Sequence, residues 1–302
     1  MNDDYQGWIN LYKPKNISSF LAIKKIKKKL KINKIGHAGT LDPLAEGVLP
    51  VAIGKATKLI PFINNDMKEY IFTIKWGEQT STDDSEGDVI NFNYEIPEEK
   101  NIKINLRNFL GEIEQVPPKV SAIKVEGRRA YSLFRENKNF ILSSRKVILK
   151  EADLISTNKK FSSFKIKCGK GFYVRSLARD LAEKLGTYGH ISSLKRTKVG
   201  FFSSINAILL DDLLKIRQTL QEFNFISSSV EVLDDILAYD IEDEKDLKDL
   251  SLGRSIIIDL KNLKKPRLNS FDKNFLFLFK KGNVLSYGKL IGNLFKPIKV
   301  LI

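Results

Sequence analysis

Sulfur and imidazole side chains are scarce in this chain. It has one cysteine, Cys168, and two histidines, His37 and His190, among 302 residues. A lone cysteine excludes an internal disulfide framework and a cysteine-rich zinc site. The combination of H-x-E with C-x-x-C that marks zinc-dependent nucleobase deaminases is missing as well. The few cysteine and histidine side chains predict no transition-metal centre. A magnesium site built from carboxylates is compatible with the composition.

Long apolar runs and phosphate-binding loops are also missing. No apolar stretch reaches the length of about 18 residues that a transmembrane helix needs. The chain opens with Met1-Asn2-Asp3-Asp4, which is acidic and lacks the apolar centre of a signal peptide. The pattern G-x-x-x-x-G-K-[ST] of P-loop nucleotide hydrolases does not occur. We therefore expect a soluble, cytoplasmic protein in a reducing compartment.

Positive charge, in contrast, is abundant. Lysine and arginine number 51 against 36 aspartate and glutamate residues, so the formal net charge at pH 7 is +15. A balance this basic indicates a polyanionic partner, with nucleic acid as the first candidate. The alternative is a lysine-rich surface that is merely well solvated. With 42% hydrophobic residues the chain can bury one large core or two smaller ones, which excludes disorder.

Two segments concentrate the basic residues. The first is an amphipathic helix with Phe20, Ile23, Ile26 and Leu30 at helical spacing, which Ser18 or Ser19 can cap. Its lysines are Lys24, Lys25, Lys27, Lys28 and Lys29. The second, residues 119–147, interleaves basic and aromatic residues, which is typical of a surface that follows RNA and stacks its bases. Each also has a plain interpretation: a solvated helix face, and a basic hairpin and helix packed on the core.

Charged residues are nearly absent from the segment GHAGTLDPLAEGVLPVAIG, residues 36–54. Glycine and proline shape this loop, and Asp42 and Glu46 are its only acidic residues. A second candidate, Arg175, lies at a predicted strand-to-helix junction and would keep Asp42 ionised and oriented. An Asp–Arg pair suits a reaction without metal, redox cofactor or group donor. Isomerisation of the glycosidic bond of a uridine is such a reaction.

Residues 36–59, GHAGTLDPLAEGVLPVAIGKATKL, closely resemble the signature of the TruB family of tRNA pseudouridine synthases. The family pattern runs Gly-His-x-Gly-[Thr/Ala]-Leu-Asp-Pro-x-Ala-x-Gly-[Val/Met]-Leu and then Gly-x-Ala-Thr-Lys, and every position is matched. Further blocks agree: WINLYKPKNISS, KEYIFTIKWGEQTSTDDSEGDV, VPPKVSAIKVEGRRAYSLFR and CGKGFYVRSLARDLAEKLG. The resemblance covers roughly residues 7–200 and fades beyond them.

The resemblance implies an α+β fold, with a mixed, mainly antiparallel central sheet flanked by helices. The catalytic domain is expected over residues 1–238, with an inserted RNA-binding thumb at about residues 117–147. Short alternating runs in residues 253–302 suit a small β-barrel appendage. We therefore expect residues 239–302 to form a small C-terminal β domain, similar to a shortened PUA domain.

Three residues take catalytic roles by the resemblance. Asp42 matches the essential aspartate, which attacks or stabilises the ribose or base of the uridine during bond cleavage. Tyr70 matches the tyrosine that stacks on the flipped base and assists removal of the C5 proton. Arg175 matches the arginine that pairs with the aspartate. Further residues are implied to contact substrate or RNA: His37, Gly39, Thr40, Leu41, Lys58, Asp84, Tyr173 and Leu194.

Some of these residues have more specific implied roles. His37 matches the histidine that helps to eject or replace the flipped nucleotide, whereas Tyr173 and Leu194 match walls of the pocket. Lys58 and Asp84 match polar positions near the pocket. Structural interpretations stay open beside these roles: an aspartate or histidine satisfied within a turn, a tyrosine in the core, and an arginine that contacts phosphate at the surface.

The implied activity is isomerisation of uridine 55 in the T-loop of tRNA, by base flipping and Asp42-dependent cleavage of the glycosidic bond. The partner is then the T-arm of tRNA. No cofactor, metal, membrane or obligate protein partner is expected, and the protein is expected to be a monomer. RNA-guided relatives share the motifs but typically carry a complete PUA domain and extensions that are not recognisable here.

A non-catalytic RNA-binding or tRNA-folding protein is the alternative from another class. The charge and the thumb alone suit it equally well. Pure binding, however, has no need of an ionised, paired aspartate beside phosphates, so the combination of Asp42, Tyr70 and Arg175 favours the enzyme. The same block argues against a basic ribosomal or structural protein.

The charge balance generates a first testable prediction. Phosphate contacts by lysine and arginine release counterions, so we expect the affinity for tRNA to fall steeply between low and moderate salt. The logarithm of the binding constant, measured by filter binding, should decrease linearly with the logarithm of the salt concentration. A flat response would contradict binding through the phosphate backbone.

Overall fold

The computed structural model describes residues 6–63, 67–216, 226–233, 236–264 and 275–302, which hold eight α-helices and twenty strands. The α-helices are α1 (Ser19–Leu30), α2 (Ile60–Ile63), α3 (Glu99–Arg107), α4 (Ala130–Arg135), α5 (Val174–Lys184), α6 (Leu210–Lys215), α7 (Ser229–Val232) and α8 (Glu244–Ser251). Two 3₁₀ helices span Gly54–Leu59 and Leu260–Asn262. None of the helices in these ranges combines the length and apolar character that crossing a membrane requires.

The strands fall into two larger sheets and two short hairpins. They are β1 (Gly7–Lys13), β2 (Ile35–His37), β3 (Glu46–Ile53), β4 (Lys68–Trp76), β5 (Glu78–Thr80), β6 (Val89–Phe92), β7 (Gly111–Gln115), β8 (Lys124–Val125), β9 (Arg128–Arg129), β10 (Arg145–Asn158), β11 (Phe161–Cys168), β12 (Gly189–Val199), β13 (Phe202–Ser203), β14 (Ile208–Leu209), β15 (Ile226–Ser227), β16 (Leu237–Asp240), β17 (Ile256–Ile257), β18 (Phe275–Lys280), β19 (Asn283–Ile291) and β20 (Leu294–Val300).

Eleven strands form the central sheet. Its main path is β14-β1-β3-β12-β4-β11-β10-β7, with β2, β13 and β15 attached to β3, β12 and β1. Only two pairs are parallel, β1 with β14 and β3 with β12, whereas the other described pairs are antiparallel. The predicted α+β fold with a mixed, mainly antiparallel central sheet is confirmed.

Helix α1 forms where the apolar spacing predicts it. The Ser18 side chain accepts a hydrogen bond from the backbone N–H of Leu21 (3.1 Å), which caps the first turn. Ala22, Ile23 and Ile26 are buried, and the lysines of the helix are exposed. Phe20 was expected on the apolar face, but its side chain is 69% exposed because it lies at the edge of that face.

Residues 145–147 are the first three of β10. Residues 117–144 leave the central sheet between β10 and the strand that it pairs with here, β7. They form the hairpin of β8 and β9 and the short helix α4. We call residues 117–147 the thumb, after the segment expected from the sequence.

The C-terminal sheet has the order β16-β18-β19-β20-β17. The alternating runs after residue 253 form strands, as we expect for a β-rich C-terminal domain. They give an open path with β16 and β17 at its two ends, however, and the described strands do not close into the expected barrel. The expected division between residues 238 and 239 lies within β16 and stays a prediction.

The C-terminal sheet shares a hydrophobic core with the central sheet. Trp8 of β1 belongs to one buried cluster with Phe277 and Phe279 of β18. Phe62 lies edge-on to Phe277, with their ring centroids 4.9 Å apart. The Trp8 indole N–H also donates to the hydroxyl of Ser229 (3.3 Å). The C-terminal sheet is therefore packed onto the central sheet through a shared apolar cluster.

Gly47 permits a close approach between β3 and β12, beneath the loop that carries Asp42. It pairs with Arg196, its φ is +108°, and a β-carbon there would lie 2.1 Å from the carbonyl oxygen of Arg196. Real β-carbons do not come this near to a carbonyl oxygen, so a side chain at Gly47 would push the two strands apart.

Gly47→Ala is expected to lower the free energy of unfolding by at least about 3 kcal/mol, because backbone strain and a backbone clash add together. Gly186→Ala is the matched control: its φ is +72°, but nothing lies within 4 Å of the added carbon. Its loss should be only about 1 kcal/mol. Urea unfolding of both variants measures the difference, and equal losses would show that the close approach does not matter.

Candidate active site

A pocket of about 290 Å³ lies where the loop at residues 39–42, β4, β12 and the start of α5 meet. Its volume lies just below the usual range for small-ligand sites, which begins at about 300 Å³. Eight of the eleven residues expected at the site line it: Gly39, Thr40, Leu41, Asp42, Tyr70, Tyr173, Arg175 and Leu194. The rest of the lining is Lys68, Ser121, Ala122, Gly169, Gly171, Phe172, Val174 and Arg196.

The loop with Asp42 is fixed from behind by the segment that joins β1 to α1. The Ser19 hydroxyl donates to the carbonyl of Leu41 and accepts from its N–H, both at 2.9 Å. The N–H of Asn16 donates to the carbonyl of Pro43 (2.8 Å), to which the fully buried Lys13 ammonium also donates (3.3 Å). Burial lowers the pKa of Lys13 to about 8, and the nearby Asp42 opposes this shift. These bonds hold the backbone on both sides of Asp42.

The guanidinium of Arg175, in the first turn of α5, connects four segments. Its Nε lies 3.0 Å from Oδ2 of Asp42, and its Nη1 lies 3.3 Å from Oδ2 of Asp84. Nη1 also donates to the carbonyl of Thr82 and Nη2 to that of Val120, both at 2.9 Å. Nε has no well-aligned hydrogen bond, so the contact with Asp42 is an ion pair. Such contacts often become aligned only when the substrate binds.

The two carboxylates differ in their access to the pocket. The side chain of Asp84 is 3% exposed and that of Arg175 is 4% exposed, whereas that of Asp42 is 37% exposed. Asp84 is thus the enclosed partner, and Asp42 faces the open space. Burial raises the pKa of the Asp42 carboxyl, the guanidinium of Arg175 opposes this, and the negative charge of Asp84 adds to the increase. Arg175 thus favours the ionised form of Asp42, as expected from the sequence, but burial and Asp84 both act against it.

Two cationic residues of the pocket, Lys68 and Arg196, were missed from the sequence. Lys68 lies two residues before Tyr70 on β4, and Arg196 lies two residues after Leu194 on β12. Because side chains alternate along a strand, each shares a face with a residue that was already assigned to the site. Strand alternation from Tyr70 and Leu194 would have found both.

Arg196 is buried between β3, β4 and the loop with Asp42. Its Nε donates to the carbonyl of Val48 and its Nη2 to that of Gly39, both at 2.7 Å. It is also the cross-strand partner of Tyr70. Burial raises the pKa of the Tyr70 hydroxyl, and the guanidinium of Arg196 opposes that rise. Tyr70 is therefore a neutral hydroxyl that is held beside a fixed positive charge.

Tyr173 is positioned by its backbone. The side-chain amide of Gln115, at the end of β7, donates to the carbonyl of Tyr173 (3.1 Å) and accepts from its N–H (2.8 Å). The Ser176 hydroxyl donates to the carbonyl of Val116 (2.8 Å). One wall of the pocket is thus joined to the strand that leads into the thumb.

Three of the expected residues do not line the pocket. Asp84 lies behind Arg175, as described above. His37 lies on β2, where its Nε2 is 3.2 Å from the hydroxyl of Thr40, and burial together with Arg196 lowers the pKa of His37. Lys58 is exposed on the 3₁₀ helix Gly54–Leu59. His37 is therefore near the pocket through Thr40, whereas Lys58 is on the outer surface.

A larger cleft, of about 1020 Å³, lies in the thumb. Basic and aromatic residues contribute much of its lining, among them Arg128, Phe134, Lys138 and Phe140, and Glu126 is the only carboxylate. This composition suits RNA. The Asp–Arg pair, and with it the capacity for covalent chemistry, is in the smaller pocket.

Two family models match the chain. The TruB family pseudouridylate synthase (N terminal domain) matches residues 27–174, and the tRNA pseudouridylate synthase B C-terminal domain matches residues 175–249. A tRNA pseudouridine synthase B of Ehrlichia ruminantium is 45% identical over 232 residues, which are 76% of this chain and 78% of that protein. The protein of the same name from Sinorhizobium medicae is 38% identical over 301 residues, or 97% of this chain and 95% of that one.

Solved structures with a similar fold include the crystal structure of a Cbf5-Nop10-Gar1 complex. The similar chain has a TM-score of 0.73 and 23% identity, and the match covers 98% of this chain and 85% of that chain. A chain in the structure of an H/ACA RNP bound to a substrate RNA has a TM-score of 0.72 and 22% identity. At this identity the similarity shows the fold alone, and it supports the pseudouridine-synthase fold expected from the sequence.

The guanidinium of Arg175 faces both Asp42 and Asp84, so the pKa of Asp42 should depend on it. Arg175→Gln removes the charge that opposes desolvation, so the pKa of Asp42 should rise further and its carboxylate should be protonated at a higher pH on acidification. A carboxyl ¹³C NMR titration measures this. Arg179→Gln is the control, since Arg179 is also on α5 but pairs with Asp83 (3.0 Å). An unchanged pKa of Asp42 in Arg175→Gln would refute the electrostatic role.

Proposed function

The chain belongs to the TruB family and is a tRNA pseudouridine synthase, and we propose that its target is uridine 55 in the T-loop of tRNA. The reaction is an isomerisation, in which the bond from C1′ of the ribose moves from N1 to C5 of the uracil. The C5 proton is lost and N1 gains one, so no other reactant is needed. The T-loop target is supported by the match to relatives named tRNA pseudouridine synthase B.

The observation that carries the proposed mechanism is the ion pair between Asp42 and Arg175 at a pocket that fits one nucleoside. In the proposal the Asp42 carboxylate acts when the bond between N1 and C1′ breaks. It either bonds to the uridine, at ribose or base, or stabilises positive charge on the ribose. Arg175 holds the carboxylate in place and favours its ionised form. Asp84 supports Arg175 from the enclosed side.

The other pocket residues have binding roles in this proposal. Extrusion of a stacked base costs about a few kcal/mol, and stacking on Tyr70 returns about 1–3 kcal/mol. Tyr173 and Leu194 form the walls, and Gly39, Thr40 and Leu41 form the loop beside the base. His37, next to Thr40, occupies the space that the flipped nucleotide leaves. Tyr70 also assists removal of the C5 proton.

Recognition of the T-arm is proposed to involve the pocket and the thumb together. The thumb cleft provides basic and aromatic side chains, and Ser121 and Ala122 of the thumb line the pocket itself. RNA of this kind is recognised mainly by shape and backbone. We further propose a cytoplasmic monomer that acts without a protein partner, with residues 239–302 as a small PUA-like domain.

Pseudouridine mapping on an unmodified tRNA transcript tests the proposal. Wild-type protein should produce pseudouridine at position 55, and Asp42→Asn should reduce the rate by at least about a thousandfold while it retains affinity for tRNA. Asp153→Asn, at an exposed carboxylate on β10, is the matched control and should remain active.

Two results would change the assignment. If the wild type binds tRNA tightly but makes no pseudouridine, the protein is the non-catalytic RNA-binding or tRNA-folding alternative. Product at a uridine outside the T-loop would reject the proposed target and leave the activity intact.

A further inference from the structure

The N-terminal part of the chain has a block of positive charge that the pocket and the thumb do not use. Residues 5–41 contain no aspartate or glutamate and form the longest such stretch of the sequence. The lysines of this block are Lys13, Lys15, Lys24, Lys25, Lys27, Lys28, Lys29, Lys31 and Lys34. Such a block is unusual in a chain that also has 36 acidic residues.

Two of these lysines have partners within the protein. Lys13 is buried and donates to backbone carbonyls, and Lys15 lies 3.7 Å from Glu46. The other seven form what we call the lysine cluster: Lys24, Lys25, Lys27, Lys28, Lys29, Lys31 and Lys34. All seven are exposed, and in the described part of the chain none has a carboxylate oxygen within 4.0 Å.

Several basic residues of the thumb, in comparison, have carboxylate partners. Arg128 and Lys138 both form ion pairs with Glu136, and Lys146 pairs with Glu112. A lysine without a carboxylate neighbour attracts phosphate more strongly than one that is already paired. The lysine cluster therefore offers more uncompensated charge for a polyanion than these thumb residues do.

The lysine cluster is rigidly attached to the active-site loop. Ser19, the first residue of α1, forms both of its hydrogen bonds with Leu41, which lines the pocket next to Asp42. At 1.5 Å per residue, Lys24 to Lys31 lie about 8 to 18 Å from Ser19 along the helix axis. Because α1 starts at the loop that lines the pocket, an RNA that extends a few nucleotides beyond the pocket is long enough to reach this helix.

We propose that the lysine cluster is a second RNA-binding surface, which contacts the phosphate backbone of tRNA outside the T-arm hairpin. This inference rests on the proposed T-loop target. A hairpin in the pocket and the thumb cleft occupies the surfaces already described, so the helix that leads away from the pocket is available to the rest of the tRNA. The contacts are to phosphate and carry no sequence information.

An anionic lipid surface is the competing partner for a basic helix. Amphipathic helices bind membranes by inserting an apolar face. In α1 the residues of that face, Ala22, Ile23 and Ile26, are buried in the protein core. Only Phe20 and Leu21, in the first turn, remain as exposed apolar side chains. The burial of this apolar face favours RNA as the partner, because RNA binding needs only the positive charges of the lysines.

The test compares two RNAs, a full-length unmodified tRNA transcript and the T-arm hairpin alone. The variant Lys24→Gln/Lys25→Gln/Lys28→Gln/Lys29→Gln should bind full-length tRNA about tenfold or more weakly, and its salt slope should fall by about three to four. Its affinity for the hairpin and its kcat on saturating tRNA should stay at the wild-type values.

The control variant removes the same charge elsewhere, with Lys100, Lys159, Lys160 and Lys165, all exposed, changed to glutamine. If it weakens tRNA binding as much as the test variant does, only net charge matters and the proposal is wrong. If the test variant loses equal affinity for the hairpin and for tRNA, the lysines contact the T-arm. If it loses affinity for neither RNA, the lysines form a solvated face that binds no RNA. Binding of wild type, but not of the variant, to vesicles of anionic lipid, with tRNA affinity unchanged, would identify a membrane surface.

The same experiment separates this proposal from the function on which it rests. If wild-type protein neither binds nor modifies the hairpin, the T-loop target fails, whatever the lysine variant does. If wild-type protein modifies the hairpin and the variant binds both RNAs like wild type, only the second surface fails.

Discussion

The site depends on one buried guanidinium that faces two carboxylates. Arg175 brings together the loop of Asp42, the turn with Thr82 and Asp84, the thumb residue Val120, and its own helix. A buried ion pair adds little stability compared with apolar packing, and here one cation serves two anions. In the proposed mechanism such an arrangement is explained by what it does to Asp42, whose carboxylate it holds in place at the open side of the pocket.

The surroundings of Asp42 are correspondingly stiff. Ser19 and Lys13 bind the loop from one side, Arg196 binds Gly39 from another, and Gly47 lets β3 and β12 approach beneath it. Catalysis by a carboxylate depends strongly on where its oxygens lie relative to the substrate, because a displacement of about 1 Å can lower the rate a hundredfold. The backbone contacts thus orient the Asp42 side chain, and the ion pair with Arg175 favours its ionised form.

Sequence patterns predicted these features where the signal is local. The block around Asp42, the helix after Ser18 and the strand with Tyr70 each follow from neighbouring residues, whereas the α+β fold was expected from the family resemblance that such blocks carry. The missed cations, Lys68 and Arg196, could have been found by alternation from Tyr70 and Leu194. Their meeting at one pocket, however, depends on the pairing of β4 with β12, which lie about 130 residues apart, and periodicity alone does not reveal that pairing. The strands of the C-terminal part were predicted for the same local reason, but alternation does not show whether a sheet closes, and the described strands form an open path.

The core shared by the two sheets also has a consequence for biosynthesis. Trp8 and part of the cluster that covers it, Phe277 and Phe279, are separated by about 270 residues of synthesis. At 5–20 residues per second, roughly ten to fifty seconds pass between the two. Throughout that time the part of the cluster that β18 provides is missing, so this core is complete only after β18 has been made, and a product truncated before β18 would leave apolar surface exposed.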